Sequence, residues 1–262
     1  MDIKKDCIVK SSIAPLYLNP SFKSELVSQA LIWEYLIVLE IKKNWFKVKQ
    51  WDEYISWIHN SYVLNIDVYK KNNLNNHNKW YYLTKSISKN NILLSFGSCL
   101  PVIKDNKDSD YQILLPDLSK IKLNKKNLMS CDNAFSMKEI LKYAKNLIGV
   151  PYLWGGKSSF GYDCSGFIQS LLRLKGIKFP RDCSEQINSH LIETKKSNNF
   201  VLGDLIFFIE NGIATHVGMY INNNKFIHAS GQVRINSIDK KNKYYCDKLS
   251  KLDYEVYRFK NN

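Results

Sequence analysis

Apolar and polar positions alternate over short distances in the first 66 residues, as is typical of β-strands. Apolar Phe46 and Val48, for example, are separated and followed by lysines. A mostly apolar run at 31–40 and a run rich in aromatic and β-branched residues at 54–63 flank this segment. Because none of these runs has the 3.6-residue period of a helix, the spacing predicts a small barrel or sandwich of short strands.

A second strand-rich block follows a polar segment. The segment at 70–79 contains one apolar residue, Leu74, and predicts a linker or a long loop. The next block is a weak repeat of the first, and a mainly polar link at about 124–133 separates it from the rest of the chain. The short apolar runs of this second block predict strands at 80–83, 92–96, 100–103 and 111–115.

The pattern changes to helical spacing after residue 135. Ser136 and Glu139 form a capping box, and the apolar positions that follow end at Gly149. The Pro-Tyr-Leu-Trp-Gly-Gly stretch at 151–156 predicts an extended segment and a tight turn. Helices followed by an antiparallel sheet indicate an α+β domain. Its strands are predicted at 205–209, 215–221, 225–229, 233–238 and 254–259.

Cys164 lies at the start of a second helix in this region. Apolar residues recur at helical spacing from Phe167 to Leu174, Gly176 marks the end of the helix, and Asp163 is at the capping position. A helix N-terminus presents unpaired N–H groups and a partial positive charge, which favour the thiolate, the nucleophilic form of cysteine. A structural role, with Cys164 as a small core residue and Asp163 only as a cap, is the alternative that this stretch leaves open.

Two histidines are placed to serve a cysteine nucleophile, which needs a base and a group that orients the base. His216 begins a predicted strand, and His228 lies on the next strand of a hairpin that turns at 222–224. Side chains on adjacent antiparallel strands can be neighbours, so one ring could act as base and the other could orient it. The other three histidines have no such context and are predicted to lie at the surface: His59, His77 and His190.

Length and charge narrow the possible partners. The 262 residues, 45% hydrophobic and 24% charged, are enough for two or three small domains with cores of their own. A formal net charge of +14 would suit an anionic partner, but the lysines are spread along the chain without an Arg-rich tract or a nucleic-acid motif. We therefore predict no nucleic-acid partner.

Cysteine spacing and hydropathy indicate which cofactors, metals and cellular compartments to expect for this protein. The six cysteines form no Cys-x-x-Cys pair and no metal-type spacing, so we predict reduced thiols, no metal and no cofactor. No apolar run reaches the roughly 18 residues that span a membrane. The first ten residues also lack the apolar core of a secretory signal. We therefore expect no membrane partner and a cytoplasmic protein, whereas the oligomeric state is unknown.

The third region resembles the NlpC family of papain-like bacterial cell-wall cysteine peptidases. The resemblance covers roughly residues 134–260, with the motifs in family order. The matching residues are Tyr152 within Pro-Tyr-x-Trp-Gly-Gly, 163–167 (Asp-Cys-Ser-Gly-Phe), 180–182 (Pro-Arg-Asp) with Gln186, 203–208, 216–220 and 228–229.

The resemblance implies acyl transfer at a cysteine. Cys164 would attack the scissile carbonyl, His216 would pair with it and protonate the leaving amine, and His228 would orient the His216 ring. The Tyr152 hydroxyl would help to polarise the carbonyl together with the Cys164 N–H, unless Tyr152 is only an aromatic wall of the site.

The two preceding blocks resemble bacterial SH3-like domains. We therefore predict two small all-β SH3-like barrels, at 1–68 and 69–130, followed by an α+β papain-like catalytic domain at 131–262. This arrangement resembles a subgroup that cleaves γ-D-glutamyl–diamino acid bonds in murein peptides with a free N-terminal L-Ala. The predicted reaction releases L-Ala-γ-D-Glu during recycling of such peptides.

A buried substrate ammonium requires an acidic partner. By resemblance that partner is Asp182, assisted by Glu34 from the first domain, and Asp163 and Ser165 meet other polar groups of the dipeptide. Tyr54 is a further predicted contact. Trp33 and Ser56 stand where the subgroup usually has glycine, before Glu34 and before Trp57 respectively. For Asp182, a helix cap or an ion pair with Arg181 is the alternative.

Two other functions remain open. In an exported or phage-type wall hydrolase, the SH3-like domains would bind intact peptidoglycan; the lack of a signal and the presence of Glu34 with Asp182 argue against it. In a wall-peptide binding module, Cys164 would be uncharged or misoriented. Cys183 follows Asp182 directly and is interpreted as an ordinary small residue, with a position near the site as the alternative. A zinc site built from Cys164, Cys183 and the two histidines is disfavoured.

Overall fold

The computed structural model describes residues 6–66, 79–89, 91–105, 109–133, 135–195 and 199–260. Contacts divide the chain into two compact units, Met1–Ala134 and Phe135–Asn262. The predicted linker lies outside the described residues apart from Lys79, and so does His77. Within the described ranges, no helix is long and apolar enough to cross a membrane.

Seven short antiparallel strands build the first part of unit one, in the order β3-β2-β6-β5-β4-β1-β7. Residues of β4 alternate as predicted, with Leu36 and Val38 buried between exposed Tyr35 and Ile37. The buried faces enclose a core of their own. The strands are β1 (Cys7–Val9), β2 (Ile13–Tyr17), β3 (Leu26–Leu31), β4 (Tyr35–Lys42), β5 (Trp45–Lys49), β6 (Ile55–His59) and β7 (Val63–Asn65), with a 3-10 turn at Asn60–Tyr62.

The apolar run at 31–40 is not one continuous strand, because a tight turn separates β3 from β4. Trp33 occupies this turn at φ 70°, a left-handed conformation that glycine adopts more easily. Its indole Nε1 donates to Leu114 O at 3.0 Å, and its ring packs edge-on against Trp80. The indole thus joins the core of the second block, which offsets the backbone strain and accounts for a tryptophan where glycine is expected.

The second block forms a separate core in the same unit. Five strands pair in the order β13-β12-β11-β8-β14, and β9 pairs with β10. The polar link predicted at 124–133 is wrong: Leu128 is buried opposite Leu83, so this segment contains a strand. The strands are β8 (Lys79–Leu83), β9 (Ile87–Lys89), β10 (Ile92–Leu94), β11 (Cys99–Asp105), β12 (Asp110–Leu114), β13 (Lys120–Asn124) and β14 (Leu128–Ser130), with a 3-10 turn at Lys125–Asn127.

The second unit is the predicted α+β domain. A six-stranded antiparallel sheet has the order β17-β22-β18-β19-β20-β21, and β15 pairs with β16. The strands are β15 (Lys157–Ser158), β16 (Gly161–Tyr162), β17 (Ile192–Thr194), β18 (Leu205–Glu210), β19 (Ile213–Asn222), β20 (Lys225–Ser230), β21 (Gln232–Ser237) and β22 (Asp253–Phe259). The helices are α1 (Met137–Lys145), α2 (Cys164–Arg173), α3 (Cys183–Ile187) and α4 (Asp247–Ser250).

Local signals in the sequence fix the ends of the helices. The capping box is present in α1, with Ser136 and Glu139 each bonding the other's backbone N–H. In α2 the regular turns end at Arg173, and Gly176 follows at φ 74°, where its missing side chain permits the reversal. Helix α2 packs against β19 and β20, and α3 packs against β19. These contacts bring the cysteine helix to the strands that carry the two histidines.

Candidate active site

Cys164 is the first residue of α2, and the cap of this helix is well formed. Asp163 Oδ1 accepts the Gly166 N–H at 2.6 Å, which is the expected N-cap bond. Farther along, Phe167, Ile168 and Leu171 are fully buried. The apolar face therefore anchors the helix while its N-terminal dipole points at the Cys164 sulfur, which favours the thiolate.

Arg181 is buried beneath this cap and was not predicted as a site residue. Its side chain is 1% exposed and donates two hydrogen bonds to Asp163, from Nη1 to Oδ1 at 3.0 Å and from Nη2 to Oδ2 at 2.5 Å. Its Nη1 also donates to Ser165 Oγ at 3.1 Å. Such a two-pronged contact fixes position as well as charge. The residues on either side of Cys164 are thus held by one guanidinium group.

Gly166 allows the cap to close around the backbone. A Cβ atom built at Gly166 would lie 2.3 Å from Gly156 O and 2.9 Å from Asp163 Oδ1. The same Gly156 oxygen accepts the Asp163 N–H at 3.1 Å. Only glycine fits here, which gives a physical reason for the Asp-Cys-Ser-Gly order.

The two histidines are hydrogen-bonded, as predicted. His216 Nε2 lies 2.6 Å from His228 Nδ1. The register of β19 with β20, which aligns Met219 with Ile227, makes the two histidines diagonal rather than directly opposed neighbours. Between them stands Gly218, where a Cβ atom would lie 3.3 Å from the His228 Cβ. The missing side chain leaves space for the two rings to meet.

The protonation state of His228 follows from its surroundings. Burial, followed by the charge of His216, lowers the pKa of His228 to about 3, although its bond to Asn236 raises it. The ring is therefore neutral at ordinary pH, with one donor and one acceptor nitrogen. Asn236 Nδ2 donates to Tyr244 O at 3.1 Å, so Asn236 Oδ1 accepts from His228 Nε2 at 2.9 Å. His228 Nδ1 is left to accept the N–H of His216 Nε2.

This network leaves the second nitrogen of His216 for the nucleophile. Besides the hydrogen bond of Cys183, the hydrogen bond and the charge of His216 lower the pKa of Cys164. Because Nε2 is directed at His228, Nδ1 is the nitrogen left for the sulfur. A chain of contacts thus runs from Cys164 through His216 and His228 to Asn236. It contains the base, its orienting group and a further group that fixes the tautomer.

Asn236 was missed by the sequence analysis, although a weak signal was present. His228 pairs with Arg234 across β20 and β21, and Asn236 follows two residues later on the same face. A polar side chain on the side of a strand that faces a candidate catalytic residue is the pattern that could have identified it.

We expect Asn236→Ala to lower kcat about 10- to 100-fold, because an unsatisfied buried N–H on His228 costs about 1–3 kcal/mol and loosens the His216 ring. Steady-state kinetics with a murein peptide measure the effect, with KM changing less than kcat. Asn188→Ala is the matched control, since its amide is exposed and donates to Ser184 O in α3. Equal kcat values in the two variants would remove Asn236 from the catalytic chain.

The pKa of the Cys164 thiol lies well below its usual value. The hydrogen bond from Cys183 is the largest cause, and the hydrogen bond and charge of His216 add to it, while burial and Asp163 oppose the shift. Cys183, interpreted from sequence as an ordinary small residue, is thus a direct neighbour of the nucleophile. Its own pKa is raised by the bond to Cys164 and by burial. The two opposite pKa shifts favour a thiolate on Cys164 and a protonated thiol on Cys183.

Removing the Cys183 donor should shift the pH dependence of catalysis. Without it the pKa of Cys164 rises, so the acidic limb of the kcat/KM profile for Cys183→Ala should move to higher pH. Cys183→Ser retains a hydroxyl donor and should shift less. Profiles of the three proteins over the same buffers provide the comparison. Coincident acidic limbs in the alanine variant and the wild type would refute the role of the donor.

Tyr152 lies beside the nucleophile. Burial, then the charges of Cys164 and Asp163, raises the pKa of its hydroxyl to about 12. The group therefore stays protonated at neutral pH and can donate a hydrogen bond. Its backbone N–H donates to Gly231 O at 2.9 Å, which ties the segment to the turn after β20. Its role in polarising the carbonyl stays a prediction.

The predicted substrate contacts lie in both units. In unit two, Asp163 and Ser165 form the buried cap, and Asp182 occupies the N-cap position of α3 without a side-chain capping bond. In unit one, Glu34 accepts from Leu31 N at 2.9 Å and from Gln50 Nε2 at 3.2 Å. The predicted contacts of all these side chains with substrate stay predictions.

Tyr54 lies between β5 and β6, and its backbone N–H donates to Asp52 Oδ1 at 3.2 Å. Its predicted contact with substrate also stays a prediction. His59 caps the 3-10 turn through its ring, and His190 is exposed. Across the described ranges, no group of three or more His, Cys, Asp or Glu side chains is arranged to hold a metal ion.

Comparison with known proteins identifies one segment in each unit of the chain. Residues 149–252 match the NlpC/P60 family, and residues 16–62 match the bacterial dipeptidyl-peptidase SH3 domain. The γ-D-glutamyl-L-lysine dipeptidyl-peptidase of Bacillus cereus is 28% identical over 228 residues, which are 79% of this chain and 68% of the relative.

Two further similarities support this assignment. The probable endopeptidase NlpC homolog of Haemophilus influenzae is 34% identical over 158 residues, which are 59% of this chain and 77% of the relative. The crystal structure of an NlpC/P60 family protein from Bacillus cereus has the same fold, with a TM-score of 0.81 at 22% identity over 97% of this chain and 99% of that one. With an N-terminal SH3-like domain and a cysteine–histidine centre, this chain belongs to the NlpC/P60 family and is a cysteine peptidase.

Proposed function

We propose that the enzyme hydrolyses the γ-D-Glu–L-diamino acid bond of murein peptides with a free N-terminal L-Ala, releasing L-Ala-γ-D-Glu. One observation carries the proposal: the cysteine–histidine centre shares a chain with a domain that matches the SH3 domain of bacterial dipeptidyl-peptidases. The relative from Bacillus cereus, named a γ-D-glutamyl-L-lysine dipeptidyl-peptidase, is similar over 79% of this chain. A role in peptide recycling, and a cytoplasmic location, which cell fractionation would test, belong to the same proposal.

Bond formation begins at the Cys164 thiolate. Its sulfur attacks the γ-carbonyl carbon of D-Glu, and the negative charge that develops on the carbonyl oxygen is stabilised by the Cys164 N–H and the Tyr152 hydroxyl. His216, as imidazolium, then gives its Nδ1 proton to the departing amine of the diamino acid. The products of this step are a thioester on Cys164 and the free amine.

Hydrolysis of the thioester restores the enzyme. His216, now neutral, takes a proton from water through Nδ1, and the resulting hydroxide attacks the thioester carbonyl. The C–S bond breaks, the thiolate of Cys164 returns, and the dipeptide leaves with a new γ-carboxylate. Neutral His228 holds the N–H of His216 Nε2 throughout, so that Nδ1 always faces the sulfur.

Specificity for a free N-terminus requires an acid near the amine of L-Ala, because a buried ammonium without a counter-charge is costly. We assign this role to Asp182, which precedes Cys183 at the start of α3, the helix that packs against α2. Glu34 is a second acid proposed from the family resemblance. Conservative amide variants of each acid, Asp182→Asn and Glu34→Gln, test the two assignments separately.

N-acetylation of the substrate's L-Ala should lower kcat/KM by about 100-fold or more, since it removes the charge that the acid binds and adds bulk (about 3 kcal/mol). The measurement compares dipeptide release from acetylated and free L-Ala-γ-D-Glu-diaminopimelate. In Asp182→Asn the ratio of kcat/KM for the free substrate to kcat/KM for the acetylated substrate should be smaller than in the wild type. Equal rates on both substrates with the wild type would remove the requirement for a free amine.

A further inference from the structure

Acyl transfer forms and breaks bonds at one sulfur atom, yet the site contains two. Cys164 begins α2 and Cys183 begins α3, and these two helices pack against each other. The interaction between the two thiols lowers the pKa of Cys164 and raises that of Cys183. Nothing in the hydrolytic cycle needs a second sulfur, because a hydroxyl could supply the same donor. The chemistry that distinguishes a thiol from a hydroxyl is oxidation.

Contacts on both sides of Cys183 hold it against the nucleophile. Arg181, two residues earlier, donates to Asp163 Oδ1 at 3.0 Å and to Ser165 Oγ at 3.1 Å. Gln186, one helical turn later, donates to Ser165 O at 3.1 Å. The segment carrying Cys183 is thus tied at both ends to the residues that flank Cys164. These contacts hold the segment that carries Cys183 beside Cys164, and they do not depend on the protonation of either thiol.

We propose that Cys183 is a resolving thiol: after a peroxide oxidises Cys164, Cys183 closes a Cys164–Cys183 disulfide that reversibly inactivates the peptidase. The proposal rests on the thiol pair and not on the identity of the peptide substrate. It places a modification site at the nucleophile of the family-typical reaction.

The reaction balances with hydrogen peroxide as the oxidant. The Cys164 thiolate attacks one peroxide oxygen, the O–O bond breaks, and the departing hydroxide takes up a proton to become water. The product is a sulfenic acid on Cys164. The Cys183 sulfur then attacks the Cys164 sulfur, the S–O bond breaks, and the thiol proton leaves with the hydroxyl as a second water. Two thiols lose two electrons in total, and the peroxide gains them.

The charge distribution of the pair suits this sequence. The thiolate is the form that reacts with peroxide, and the lowered pKa of Cys164 makes it the sulfur that is oxidised first. Cys183 retains its proton because its pKa is raised. Without a neighbouring thiol, a sulfenic acid can go on to the irreversible sulfinic acid. The disulfide protects the nucleophile from that step.

A second pair of cysteines has to be excluded from the readout. Cys99 and Cys131 of unit one have sulfur atoms 2.9 Å apart and could also be oxidised. The test therefore uses the full chain with Cys99→Ser and Cys131→Ser as the background protein. Cys183→Ser in the same background is the matched variant, because it keeps a hydrogen-bond donor at the nucleophile but cannot form the disulfide.

Both proteins are treated with hydrogen peroxide, blocked with an alkylating reagent, digested and mapped by mass spectrometry without reduction. In the background protein we expect a linked peptide containing Cys164 and Cys183, and nearly full activity after dithiothreitol. The Cys183→Ser protein should instead contain sulfinic acid at Cys164 and recover at most about one tenth of its own starting activity.

Sulfinic acid at Cys164 in both proteins, or linkage of Cys164 to any other cysteine, overturns the proposal. Peptide mapping reads the disulfide directly in the background protein, so a folding defect in the variant cannot produce or conceal it. If the linked peptide is found but no γ-D-glutamyl bond is cleaved, the resolving thiol stands and the proposed substrate fails. The two proposals can therefore be separated.

Discussion

Cys164→Ala should abolish peptide hydrolysis, lowering kcat by about 10⁴-fold or more, and His216→Ala should do so to a similar degree. Cys164→Ala removes the sulfur atom that forms the acyl-enzyme. The two residues act as one unit, so the double variant should be little worse than either single variant. The loss of activity is measured by monitoring dipeptide release with chromatography that is sensitive enough to detect a single turnover.

Cys246→Ala is the matched control for the cysteine variant. It removes a half-buried cysteine of the same unit, which contacts the hydrophobic core around Ile206 and lies outside the catalytic chain. Its kcat should stay within about twofold of the wild type, since kcat responds to groups that act on the reacting atoms. Turnover by Cys164→Ala at the level of Cys246→Ala would show that Cys164 is not the nucleophile.

Arg181→Met should lower the free energy of unfolding of the catalytic unit by about 3–5 kcal/mol. The substitution has a similar size but leaves the Asp163 carboxylate, 7% exposed, without its buried cation. The same loss loosens the cap of α2, so activity should fall together with stability. Urea unfolding followed by tryptophan fluorescence and circular dichroism measures the change in midpoint.

Lys251→Met is the comparison for this prediction. Lys251 and Asp247 form an ion pair of similar length, 2.6 Å, but both side chains are more than half exposed. Water and salt screen such a pair, so its loss should leave the unfolding midpoint nearly unchanged. In addition, Asp163→Asn should restore part of the stability lost in Arg181→Met, because it removes the orphaned charge. If the arginine and lysine variants unfold at the same urea concentration, the buried pair does not stabilise the unit.

Short-range signals in the sequence were sufficient for the elements that build the site. The capping box at Ser136, the cap at Asp163 and the stop at Gly176 each depend on a few adjacent residues, and all three are present. The hairpin that joins the histidine strands turns at Asn223 and Asn224, both at positive φ, as such turns require. The predicted contact between the histidines followed from this local geometry and the family resemblance.

Features that depend on distant partners were not predictable in the same way. Trp33 adopts a glycine-like conformation because its indole reaches Leu114, 81 residues away in sequence. The strand at Leu128–Ser130 is short and lies among polar residues, so only its pairing with β8 reveals it. The position of Cys183 depends on two buried side chains, Arg181 and Gln186, that bond to Ser165. Neither periodicity nor spacing encodes these contacts.

The identity of the bond that the enzyme cleaves is tested most directly by identifying the products of hydrolysis. L-Ala-γ-D-Glu-diaminopimelate and intact sacculi are incubated separately with the wild type and with Cys164→Ala, and the soluble products are analysed by mass spectrometry. The proposed function predicts L-Ala-γ-D-Glu and free diaminopimelate from the tripeptide with the wild type alone, and no release from sacculi. Cleavage of sacculi, or an uncut tripeptide, would contradict it, and cleaved sacculi would instead favour a wall hydrolase whose SH3-like domains bind peptidoglycan.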